Sequence, residues 1–147
     1  MSAAAGKART LESWLAAYGA SHQNPLNERL HRVCVPLITA SVLGLAWAAA
    51  PWLAVAVSAL ALAFYLRLSV PLATGMLVLG GGCLLVVSRL PHLVETSLAV
   101  FVLAWVGQFY GHHVEGRRPS FFQDLQFLLV GPIWLLSALY RRLGLRV

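Results

Sequence analysis

Residues 33–88 read VCVPLITASVLGLAWAAAPWLAVAVSALALAFYLRLSVPLATGMLVLGGGCLLVVS, and Arg67 is the single charged side chain in these 56 positions. A soluble domain of this size needs polar side chains over most of its surface. The whole chain of 147 residues is 59% hydrophobic and 11% charged, against about 25% charged in an ordinary soluble domain. Its mean hydropathy is +0.75. These values exclude a disordered chain and a coiled coil. They leave an integral membrane protein of one domain spanning residues 1–147.

Around this block the apolar runs are 33–49, 52–66, 69–88, 93–111 and 121–140, separated by short breaks at Ala50-Pro51 and Arg67-Leu68-Ser69. Tight connections imply antiparallel neighbours. The expected fold is all-α, an integral membrane helical bundle with about four transmembrane helices within 33–111. The first two runs approach the lower length limit for a span, about 17 residues. Gly80-Gly81-Gly82 permits close helix approach or a kink. Gly131-Pro132 predicts a C-terminal helix broken near Pro132. Residues 1–9 read as a flexible tail. Leu11, Trp14, Leu15 and Tyr18 fall on one helical face, capped by Thr10 and ended by Gly19. That face suits either an interfacial helix or packing on the protein's own core, and the organisation expected is an N-terminal interfacial helix with a His motif over 10–31. The N-terminus lacks the uninterrupted apolar stretch of a signal peptide. Cys34 and Cys83, in apolar runs with no CxxC, read as small buried hydrophobes.

The net charge of +6 comes from arginines at the ends of apolar runs rather than from a basic stripe interleaved with aromatics, so nucleic acid is not an expected partner. With four crossings, Arg29, Arg32, Arg67, Arg117 and Arg118 share one side and Arg89 lies opposite. The positive-inside rule makes the shared side cytoplasmic. Arg141, Arg142 and Arg146 argue against a fifth crossing by 121–140.

Four of the five histidines fall in two polar segments on that shared side. In Ser21 to His31, Asn24-Pro25 is a helix-start signature, which leaves His22 in a loop and places Asn27 and His31 one turn apart. In the second segment, Gln108, His112 and Glu115 are spaced four and three on one helical face, and His113 is rotated about 100° away. Gly107 and Gly111 offer a small-residue face to a neighbour. A histidine and carboxylate three apart is a chelating arrangement in helical bundles, and it equally serves a satisfied hydrogen-bond network. Because a loop histidine can fold back, His22, His31 and His112 can form an open metal site, with Glu115, His113 and Asp124 as further candidates. Asn27 and Gln108 can orient the ligands. Imidazole with carboxylate suits iron, zinc or manganese. Bis-histidine haem binding and a non-catalytic membrane scaffold are the alternatives. His92, between Pro91 and Leu93 on the opposite side, reads as an interfacial histidine.

The pattern His22-x4-Asn27-x3-His31, followed by spans and then Gln108-Phe109-x-Gly111-His112, Glu115, Arg117, Pro119 and Asp124-Leu125, resembles the 2-hydroxy fatty acid dioxygenase family, relatives of the yeast endoplasmic-reticulum protein of phytosphingosine breakdown. The resemblance runs through the chain in order, although 37–104 matches only in hydrophobicity, and Asp124 stands where the family often has asparagine. It implies an Fe(II)-dependent enzyme that uses O2 to shorten a 2-hydroxy fatty acid by one carbon (α-oxidation). His22, His31, His112 and Glu115 would be its catalytic positions. A 2-hydroxy acid chelates iron through its hydroxyl and carboxylate, which leaves room for about three protein ligands. Arg117 either pairs with the substrate carboxylate or, like Arg118, binds lipid phosphate. Membrane lipid and the substrate are the expected partners, and a homo-oligomer is compatible with this reading.

Overall fold

The computed structural model describes residues 9–117 and 121–147, and within the last helix the side chains from Gln126 onward. Six α-helices and no strand occur among these residues: α1 (Leu11–Ala20), α2 (Pro25–Ala49), α3 (Pro51–Leu68), α4 (Val70–Val87), α5 (Leu93–Glu115) and α6 (Phe121–Arg142). Local chemistry sets the boundaries. Thr10 Oγ1 accepts from Ser13 N, and Asn24 Oδ1 accepts from Leu26 N at 2.9 Å just before Pro25. Pro51 and Pro71 stand in the first turns of α3 and α4, where the missing N–H leaves no helical bond unmade. Gly116 closes α5 in the left-handed region, at φ 74°.

Four helices, α2 to α5, are long and apolar enough to cross a membrane. The surface agrees with that reading. Trp52, Leu60, Val78 and Leu103 are each about 70% exposed, and other large apolar side chains accompany them on the outer faces of α3, α4 and α5. Such a belt is stable against hydrocarbon and unstable in water.

The antiparallel pair α2·α5 is the most extensive helix contact. Small residues permit it. A Cβ on Gly107 would stand 2.7 Å from Cys34 Sγ, one on Gly111 would collide with Asn27 Oδ1, and one on Gly44 would collide with Ser97 Oγ. The small-residue face of α5 therefore meets α2. Pairing the start of α2 with the end of α5 brings both polar segments to one end of the bundle.

Two local expectations change. The Gly80–Gly82 run has no neighbour within 4 Å of the positions a Cβ would take, so it mediates no close helix approach, and α4 runs through it. Helix α6 likewise continues through Pro132 instead of breaking there. Proline removes one N–H from the ladder, whereas a break in an apolar setting would strand several backbone groups. Tyr65 Oη donates to Leu129 O at 2.8 Å and ties α3 to this turn of α6. Helix α1 packs on α6, burying Leu15 and Tyr18, with Trp14 edge-on to Phe64. Cys34 is buried and Cys83 partly so, both as free thiols.

Candidate metal centre

His22 lies in the loop between α1 and α2, His31 on the second turn of α2, and His112 on the last turn of α5. All three are buried. One potential ligand atom from each lies within 4.8 Å of the other two, so a single ion can be shared among them. The ring centroids of His22 and His31 are 4.2 Å apart, those of His31 and His112 4.9 Å, and those of His22 and His112 5.9 Å.

Backbone carbonyls fix two of the imidazoles. Tyr18 O is 2.6 Å from Nδ1 of His22, and Asn27 O is 2.9 Å from Nδ1 of His31. A carbonyl only accepts, so each Nδ1 carries the proton and each Nε2 presents a lone pair. This is the arrangement by which a carbonyl orients a metal-binding imidazole. Nε2 of His22 is buried without a hydrogen-bond partner. Leaving a buried polar atom unsatisfied costs roughly 1–3 kcal/mol, which a cation at that position would remove. The ring of Tyr18 stacks on His22 at 4.2 Å. Burial pushes the His22 imidazole below its ordinary value. The Tyr18 carbonyl works against that shift, His112 adds to it, and Glu115 opposes it. A neutral imidazole is the form that binds metal.

The histidines border a cavity of about 20 Å³, lined also by Val35, Trp105, Gln108, Phe127 and Leu128. That volume suits one water or one ion. Trp105 Nε1 is buried with no hydrogen-bond partner, and Gln108 is buried one turn further along α5. Positions 105, 108 and 112 share one face of α5, the signal in the sequence that would have added Trp105 to the site. Phe127 and Leu128 carried no such signal, because they reach the cavity only through the packing of α6.

Glu115 is not among the converging ligand atoms of the described residues. Its carboxylate accepts from Asn24 N at 2.8 Å, Gln23 N at 3.0 Å and Asn27 Nδ2 at 3.1 Å. It thus holds the loop that carries His22 and sits against the positive end of α2. Asn27 also donates to Ser21 O at 3.3 Å, which joins both ends of the loop to the clamp. His113 is exposed on another face of α5, and Arg117 is exposed beyond Gly116, outside the cavity lining. Arg118 and the Asp124 side chain lie outside the described residues.

The family model described as "2-hydroxy-palmitic acid dioxygenase Mpo1-like" matches residues 8–143. A Saccharomyces cerevisiae protein, "2-hydroxy-palmitic acid dioxygenase MPO1", is 30% identical over 142 residues, covering 91% of this chain and 82% of the yeast one. No solved structure matches.

Proposed function

Because the chain belongs to the 2-hydroxy-palmitic acid dioxygenase Mpo1-like family, we propose that it is a membrane-embedded, iron-dependent dioxygenase that shortens 2-hydroxy fatty acids by one carbon. The convergence of His22, His31 and His112 carries this reading. The orphaned Nε2 of His22 and the carbonyl-held tautomers are what an imidazole metal site requires. Three histidines are compatible with several divalent metals, and ferrous iron is preferred here for the O2 chemistry named in the yeast relative. Bound there, Fe(II) would activate O2 and receive the hydroxyl and carboxylate of the substrate.

Atoms and electrons balance without a further reductant. Cleavage of the C1–C2 bond releases carbon dioxide and oxidises the hydroxyl-bearing carbon to a new carboxyl. The four electrons lost match the four that one O2 accepts on forming water and the new C–O bonds. The protein residues hold and orient. The carbonyls of Tyr18 and Asn27 keep two imidazoles in register, Glu115 and Asn27 fix the His22 loop, and the aromatic wall of Tyr18, Phe127 and Trp105 limits water. No charged side chain lines the cavity among the described residues. Trp105 Nε1 and the Gln108 amide are the donors available to substrate oxygens, and the exposed Arg117 serves lipid phosphate. Arg29, Arg32, Arg67 and Arg117 cluster at the end of the bundle that holds the centre, which supports a cytoplasmic placement of the site.

The assay supplies purified protein with Fe(II), air and 2-hydroxypalmitic acid. Pentadecanoic acid is the expected product, absent under nitrogen. No shortened product in air, or equal product under nitrogen, overturns the reading. A Soret band would favour the haem alternative.

A further inference from the structure

A second, larger cavity opens between α2, α3, α4 and α6, with a volume of about 320 Å³. Its walls include Thr39 and Val42 on α2, Leu62 on α3, Gly80 and Gly81 on α4, and Leu128 on α6, and no charged residue lines it. Leu128 also lines the histidine cavity, so the two spaces share a wall there. Val35 of the histidine cavity and Thr39 of the crevice are successive turns of the same face of α2. Val55 and Leu77, on the crevice rim, are more than half exposed, so the crevice opens on the face that meets lipid.

The glycines on its far wall need an explanation. Each glycine in a helix interior costs about 1 kcal/mol relative to alanine. Elsewhere in this protein close packing compensates. A Cβ on Gly75 of the same helix would collide with Tyr140 and Leu136. Gly80 and Gly81 have nothing within 4 Å of that position. Gly82 is equally open, but Gly80 and Gly81 line the crevice, so a side chain at either would take up space in it.

We propose that this crevice holds the alkyl chain of the 2-hydroxy acid, and that Gly80 and Gly81 keep its far end open and so set the chain length accepted. The proposal rests on the substrate class assigned above. The histidine cavity holds no more than one ion or water, so the alkyl chain lies outside it. The way past Leu128 leads into an apolar space continuous with the bilayer. The polar end stays at the histidines while the tail enters sideways from lipid, with no transfer of the chain through water.

The test uses the full-length protein with Gly80→Leu, Gly81→Leu and, as a control on the same helix, Gly82→Leu. Gly82 also has open space around it but does not line the crevice. Measured as kcat/KM for a series from 2-hydroxylauric to 2-hydroxystearic acid, the long-to-short ratio should fall about tenfold or more in Gly80→Leu and Gly81→Leu. Gly82→Leu should keep the wild-type ratio. An unchanged ratio in both crevice variants overturns the proposal. A second readout needs no metal. A 2-hydroxy acid with a terminal diazirine should label α3 and α4 of the metal-free protein. Unlabelled 2-hydroxypalmitic acid should suppress the label, phosphatidylcholine should not, and Gly81→Leu should lose it. Label on α1 or α5, which do not line the crevice, or equal competition by phosphatidylcholine, identifies a general lipid groove and refutes the assignment. If the wild-type protein shortens no 2-hydroxy acid, the function falls, and the labelling pattern still decides the crevice.

Discussion

Replacing Glu115 by alanine removes the acceptor for Asn24 N, Gln23 N and Asn27 Nδ2. Hydrogen bonds to a charged partner contribute about 1.5–3 kcal/mol when shielded, and less in water. The Gln23 contact is exposed and the other two are partly buried, so the clamp is worth about 2–3 kcal/mol in all. Its loss frees the loop carrying His22 while leaving all three imidazoles in the chain. If about 2 kcal/mol of that ordering is coupled to metal binding, the affinity falls about thirtyfold. That lies within the 10–100-fold typical of groups that orient ligands without touching the metal. Competition titration of Fe(II) against a chromophoric chelator, under nitrogen, measures it. Asn27→Ala should weaken binding similarly, and the double variant should lose less than the product of the two single effects. Glu28→Ala, which breaks the exposed pair with Arg32 and touches none of the clamp, should leave the affinity within about twofold of wild type. A Kd within about twofold of wild type for Glu115→Ala, or full additivity with Asn27→Ala, would refute the clamp.

Two further outcomes follow from packing and burial. Gly111→Ala drives a methyl group into Asn27 and should destabilise the protein by about 1–3 kcal/mol, seen as a lower Tm in detergent; an unchanged Tm would show that α2 and α5 have slack there. Burial holds His22 below its ordinary value, so below a pH of about 6.5 the unfolded chain binds more protons than the folded one. Stability of the metal-free protein should therefore be level above pH 7 and fall between pH 7 and 5, with a shallower fall in His22→Gln; denaturant titration that finds greater stability at pH 5 contradicts this.

Much of this architecture was legible because few residue types carry it. The Asn24-Pro25 start, the tight breaks before α3 and α4, and the arginine positions each follow from one local rule, and together they bring His22, His31 and His112 to one end. Spacing also placed Gln108 and His112 on a shared face of α5. It did not show where Glu115 would reach. A carboxylate on the last turn is long enough to pass the histidine cluster and meet the loop opposite, and only the α2·α5 packing reveals those backbone N–H groups. Pro132 misled for a related reason. The penalty of one missing hydrogen bond is read locally, whereas the packing that holds α6 on α1, α2 and α4 is not. The glycines of α4 looked like a packing motif because sequence does not distinguish a neighbour from an empty space.

The central claim is that one iron ion is held by three histidines. Iron content per chain, measured after reconstitution and removal of loose metal, tests it directly in the wild type and in His22→Ala, His31→Ala and His112→Ala, each checked for a wild-type helical spectrum. The account predicts about one iron per wild-type chain, in the absence of a Soret band, and near-complete loss in every variant. Retention of iron by any folded variant at the wild-type level, or no iron in the wild type, would contradict it.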